Sequence, residues 1–190
     1  MNQKPVWKYG LNIFGAHVTG VVLALILVMS MVPISDDMIF QVCVGIFVLF
    51  LYWSLISGTA WKMGNEDLNR VHFNRMEKNM WRGVQAGLIA SIPMFVLDLA
   101  IIVLNLFDCG VVSDFGLVVY RVLNMHYMIF INLVTGTQQT LLELAFWKVL
   151  VVCLMSLVTV VFAHSGYVLG YKDIVVMDKL MYKNRKNKKK

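Results

Sequence analysis

Charge is sparse in this chain: 15% of its 190 residues are charged, against 59% apolar, and the mean hydropathy is +0.70. Soluble domains carry about 25% charged residues, so water is excluded as the main solvent. Cysteine is scarcer still, at three residues. Cys43, Cys109 and Cys153 show no C-x-x-C spacing and no histidine at metal-ligand spacing, which leaves neither a zinc motif nor a disulfide framework to be read. No nucleophile is paired with a base, and no loop is long enough to bury a core of its own. The chain is therefore not expected to be an enzyme, and no cofactor or metal is expected. Nor does the net charge of +6 point to nucleic acid, because the basic residues fall in short segments between and after long apolar runs.

Those runs are what the sequence does have. A spanning helix needs about 20 apolar residues to satisfy its own backbone across roughly 30 Å of hydrocarbon. Four stretches meet that length: 10–33, 38–61, 83–107 and 149–170. The first is longer than a signal-peptide core and lacks a small-x-small site before Ser35, so it is expected to be retained. Lys and Arg flanking a span stay in the cytoplasm. Lys4 and Lys8, the link from Lys62 to Arg82, and the basic tail 171–190 hold all 17 Lys and Arg except Arg121 and Lys148, and the ISDD loop after the first span has none. Both termini are predicted to be cytoplasmic.

The stretch 111–136 is apolar enough to insert marginally, but contains Arg121, Asn124, His126 and Asn132. As a fifth span it would put the basic tail outside. It is read instead as an interfacial helix or a re-entrant dip, with Phe115, Val118, Val119 and Val122 at helical spacing. The predicted fold is an all-α integral membrane protein, a single membrane domain over 1–190. Its four transmembrane helices form two hairpins, with the interfacial or re-entrant helical segment on the outer side.

Both hairpins end alike. Ser57-Gly58 is followed by Gly64 and Asp67, and Ser165-Gly166 by Gly170 and Asp173. A parallel internal repeat is one reading; the plainer one makes Gly64 and Gly170 left-handed helix caps and the aspartates incidental. Gly83/Gly87 and Gly166/Gly170 are G-x-x-x-G pairs, expected to let helices approach closely, within the chain or with a membrane protein partner or second copy. In the link, Val71, Phe73, Met76, Met80 and Trp81 suit a short surface helix with Trp81 at headgroup level. The polybasic tail is expected to meet anionic lipid headgroups on the cytoplasmic side. Lys186 and Lys188 also fit a K-x-K-x-x retrieval ending.

Ionisable residues inside a span are costly and are functional candidates. His17 and His164 fall at similar depth from the cytoplasmic ends of their spans, and a pair there could bind a metal or relay protons; the plainer reading is a neutral imidazole bonded to a backbone carbonyl, Thr19 or Ser165. Asp98 lies deeper, five residues after Pro93, which removes a ladder bond and opens the carbonyl of Ile89. It is read as an ion or substrate point, or as a carboxyl protonated or bonded to a polar group of 111–136.

The strings RGVQAGLIASIPM (82–94) and GYVLGYKDIVVMDKLMYK (166–183) resemble a group of small multi-pass bacterial integral membrane proteins that is uncharacterised. The resemblance implies a bacterial plasma membrane rather than a retrieval signal, and no activity. Two functional readings follow: a non-enzymatic subunit, scaffold or interaction partner in a membrane complex, or a small oligomeric transporter using Asp98 with His17 and His164.

Overall fold

A computed structural model describes residues 5–107, 111–136 and 140–174. Lys4, Cys109 and the basic tail beyond Ile174 lie outside the described residues. The described chain is all-helical, without strands. Pro5 precedes α1 (Val6–Met31), which ends in a 3-10 turn (Val32–Ile34) at Pro33, a residue with no N–H to continue a ladder. Asp37 caps α2 (Met38–His72), accepting from the Phe40 N–H at 3.3 Å. Then follow α3 (Arg82–Leu106), α4 (Val111–Leu123), a 3-10 turn (Met125–Tyr127), α5 (Met128–Thr135), α6 (Phe146–Leu154) and α7 (Ser156–Tyr171). Four helical stretches are long and apolar enough to cross a membrane: Val6–Ile34, Met38–His72, Arg82–Leu106 and Phe146–Tyr171. Their outward faces carry exposed aliphatic residues, such as Val22 and Ile26, Ile92 and Val96, and Leu157 and Val161.

Two expectations are corrected. The second span was expected to end at 61, with a separate surface helix after it. Instead α2 is continuous for 35 residues, or ~52 Å, and overruns the hydrocarbon thickness by several turns. Its extension is held by Glu66–Arg70 and Asp67–Arg70 pairs at helical spacing. The glycine caps are also reversed. Gly64 and Gly170 are helical, and the left-handed positions belong to Asn74 (φ 53°) and Asp173 (φ 51°). Each closes its helix with two return bonds: Arg75 N–H to the Arg70 carbonyl and Asn74 to Val71, then Ile174 to Leu169 and Asp173 to Gly170.

The four glycines predicted to pack do so inside the chain. α7 lies between α2 and α3, and α1 covers both α2 and α3. A methyl on Gly166 would fall on the Ser57 backbone, one on Gly170 on the Trp61 backbone, and one on Gly64 on the Tyr167 carbonyl. On the other side of α7, Gly83 faces the Tyr167 ring and Gly87 faces Val160 and Ala163. Missing side chains thus bring three helices into backbone contact at one end of the bundle, the basal end.

The 111–136 stretch is a bent pair of helices, turning by 93° between residues 115–123 and 125–135. Both ends of the stretch lie at the distal end of α3. Ser113 donates to the Leu104 carbonyl at 3.4 Å, and Asn105 donates to the carbonyls of Leu141 (2.5 Å) and Leu144 (3.1 Å), just after α5. Between these ends the bend reaches Tyr52, ~21 Å along α2 from Met38. The segment therefore dips into the bundle and returns to the same end. Its predicted apolar stripe, Phe115, Val118, Val119 and Val122, faces outward, whereas Leu117 and Tyr120 are buried.

Candidate functional site

Polar side chains buried in this apolar bundle fall at three depths. The basal layer centres on Asp67, which is fully buried. Arg82 Nε donates to Asp67 Oδ2 at 2.9 Å, Arg70 Nη1 donates to Oδ1 at 3.3 Å, and the Tyr167 hydroxyl reaches Oδ2 at 3.3 Å and the Asn79 carbonyl at 3.0 Å. Beside it, Tyr9 donates to Glu66 at 2.8 Å. Both carboxylate oxygens of Asp67 are used, so the layer is a lock that ties the start of α3 to α2 and α7.

The central layer is built around Tyr52. Its hydroxyl shares hydrogen bonds of 2.8 Å with His17 Nδ1 and with Thr159, and the Tyr127 hydroxyl lies 3.3 Å from Thr159. His126, at the bend of the dipping segment, stacks on the Tyr52 ring at 3.9 Å and meets the His17 ring edge-on at 5.2 Å. It is 1% exposed, and neither imidazole nitrogen has a hydrogen-bond partner. Unused donor and acceptor capacity at full burial is rare in folded proteins and calls for an explanation.

The distal layer holds Asp98, whose Oδ1 accepts from the Tyr120 hydroxyl of α4 at 2.7 Å. Its partner is thus a polar group of the 111–136 stretch, as one of the sequence readings had it. Cys153 Sγ lies 3.8 Å from the Asp98 carbonyl oxygen. Nearby, Arg121 donates to Thr135 at 2.8 Å and to the Gly136 carbonyl, clamping α4 to the end of α5. Pro93 is on the exposed face of α3 rather than beside the carboxyl, and the helix runs through it from Arg82 to Leu106. Ser91 and Asn124, both nearly or fully buried, each carry a side-chain oxygen without a partner.

Of the predicted candidates, His17 and Asp98 are placed in polar layers, and His164 is not brought to His17. The ring partners of His17 are Phe14, Tyr52 and His126, while His164 stays half-buried on α7 with an unpartnered Nδ1. Thr19 and Ser165 bond carbonyls of their own helices, Gly15 and Phe162, rather than the imidazoles. Among the described residues no group of three or more His, Cys, Asp or Glu is arranged to hold a metal ion. Sequence reasoning missed Tyr52, His126, Asp67 and Arg82 as interior residues. The available signals were a lone tyrosine in a long apolar run and the recurring G-x-x-D.

No protein-family model, curated protein or solved structure matches this chain.

Proposed function

We propose that this chain is a small membrane transporter that carries protons through its bundle, with the basal end toward the cytoplasm. The observation that carries the reading is His126. It is a fully buried imidazole with both nitrogens unused, held at the bend of a segment that dips to the bundle centre. Interrupted helix at membrane depth is tolerated where it lines a cavity, and intramembrane ionisable groups mark ion and proton routes. From Asp98 the route runs past Tyr120 and Ser156 to Thr159, Tyr52, His126 and His17, then toward Tyr9 and Glu66. Ser156 is ~4.5 Å from Thr159 along α7, whereas Tyr9 is ~12 Å from His17 along α1, a gap for water to bridge.

The subunit or scaffold reading loses one support, since the glycine faces meant for a partner are filled within the chain. The basal rim fits a bilayer surface. Lys8 lies over Trp7 at 5.6 Å and Arg75 over Phe73 at 5.5 Å, and Trp81 is exposed, a set of cations and aromatics suited to anionic headgroups. The Lys and Arg asymmetry supports cytoplasmic termini, and the resemblance of 82–94 and 166–183 supports a bacterial plasma membrane.

The test is proton flux into proteoliposomes loaded with a pH-sensitive dye under an imposed potassium diffusion potential. The parent protein is expected to conduct, and Asp98→Asn and His126→Phe each to lose at least tenfold. Absence of flux in the parent, or full flux in both variants, refutes the reading.

A further inference from the structure

Between α3 and α4 a groove of about 390 Å³ opens on the outer surface of the bundle, lined by Leu97, Ile101, Leu104, Phe115, Gly116 and Val119, with Tyr120 among its walls. Phe115 and Val119 are exposed at its rim, so it opens to whatever surrounds the bundle, which for a membrane protein is lipid. Its lining is apolar apart from Tyr120, and that hydroxyl is the one bonded to Asp98 at 2.7 Å. The groove therefore ends one side chain from a buried carboxyl.

Asp98 differs from the other buried acid. Asp67 is met by two guanidiniums, whereas among the described residues no cation pairs with Asp98. The groups facing it are the Tyr120 hydroxyl from α4, the Cys153 thiol from α6 and the Ser156 hydroxyl from α7. Arg121, next in sequence to Tyr120, turns away to Thr135 and Gly136. An apolar groove of small-molecule size, separated by one tyrosine from a carboxyl with no cationic partner among the described residues, is complementary to one ligand chemistry, a positive charge wrapped in apolar groups.

We propose that the α3/α4 groove docks a lipophilic organic cation that reaches it from the bilayer and takes the place of the Asp98 proton. Tyr120 is the residue that swings between the two: it donates to the carboxyl in this structure and yields when the cation arrives. In the exchange the Asp98 O–H bond breaks, its electron pair stays on the carboxylate, and the proton leaves to water through the polar layers as the cation takes up the ionic contact. One cation bound thus releases one proton. The inference rests on the proton-transport reading for its coupling, though the binding step stands on the groove alone.

Tetraphenylphosphonium is a suitable probe, with the full chain in nanodiscs of neutral phosphatidylcholine, where lipid charge does not hold the cation. Equilibrium dialysis at pH 8 is expected to show saturable binding of one cation per chain, at least tenfold weaker at pH 5. Release of one proton per cation should be measurable in weak buffer. Asp98→Asn is expected to lose binding at least tenfold. Val119→Trp, which fills the rim at a position already exposed, is expected to weaken binding with unchanged circular dichroism, and so covers the case of a misfolded Asp98 variant. Non-saturable binding, equal binding in both variants, or equal binding at both pH values overturns the inference. Proton flux is measured in parallel without the cation. Flux without cation binding overturns this site and leaves the transport reading standing, and saturable binding without flux does the reverse.

Discussion

If backbone contact between α2 and α7 holds the basal half together, adding one methyl to that seam is among the most damaging small changes available. At Gly170 a Cβ would lie 2.8 Å from the Trp61 carbonyl carbon and 2.9 Å from its Cα, and at Gly166 it would lie 2.5 Å from the Ser57 Cα. Carbon atoms in good contact sit ~3.5–4.0 Å apart, so either alanine forces the helices apart by about 1 Å. The obstruction is backbone and cannot rotate away. A gap of that size forfeits up to half of each dispersion contact along the seam, and overpacking of this kind typically costs about 1–3 kcal/mol. Gly58, one residue from Ser57 on the same helix, has nothing within 4 Å, so Gly58→Ala is expected to be neutral or to stabilise by up to ~1 kcal/mol through helix propensity. The double variant Gly166→Ala/Gly170→Ala should cost less than the sum, because the first separation relieves the second overlap. Reversible unfolding in mixed detergent–SDS micelles, followed by tryptophan fluorescence, measures all four. Equal effects of Gly58→Ala and Gly170→Ala would show that the seam is not the close contact described.

Three further outcomes are expected. Arg82→Gln leaves the fully buried Asp67 with the more exposed Arg70, and should cost about 3 kcal/mol in the same assay. Adding Asp67→Asn should recover part of that loss, and additive losses would refute the pairing. Tyr52→Phe keeps the ring that stacks on His126 but removes the hydroxyl between His17 and Thr159; stability should fall by only about 1 kcal/mol while proton flux falls about tenfold, and unchanged flux removes Tyr52 from the route. In a cysteine-free background, an impermeant maleimide on intact cells should label Asp36→Cys and not Asn69→Cys, and the opposite pattern inverts the orientation.

The four long apolar helices were legible because a 20-residue apolar run reports directly on the length of helix that lipid would require, and α1, α3 and α6–α7 follow their predicted runs within a few residues. That criterion measures hydrocarbon rather than helix, so it stopped α2 at residue 61 where polar pairs carry the helix to His72. The glycines at 64 and 170 were misassigned for a related reason. Cap propensity is local, whereas the need for a bare Cα at a helix crossing is set by the partner helix, which sequence position does not disclose. Asp98 was legible because a lone carboxylate in an apolar run has no cheap alternative to an interior partner. His126 was visible only as a polar interruption in a marginal segment. Its burial depends on the 93° turn that carries it to Tyr52, and nothing in a single sequence fixes such an angle.

The layers differ in how fully they are satisfied, and that difference separates what should be rigid from what should move. In the basal layer both oxygens of Asp67 are engaged, on helices of 35, 25 and 16 residues in backbone contact. A saturated buried network of this kind holds one arrangement. In the central layer His126 and Tyr127 ride on a 3-10 turn that leads into an 8-residue α5, elements too short to be stable alone, and the His126 imidazole leaves both nitrogens unused. Moving the bend therefore breaks few bonds and gives His126 the chance to make new ones, as a proton carrier requires. Hydrogen exchange in micelles, read by mass spectrometry, should show amides of 124–131 exchanging at least tenfold faster than those of 60–68, although 124–131 is the more buried of the two segments. Burial alone predicts the opposite order, so equal rates would mean a bend as fixed as the basal lock, and the dipping segment could not then serve as the moving part.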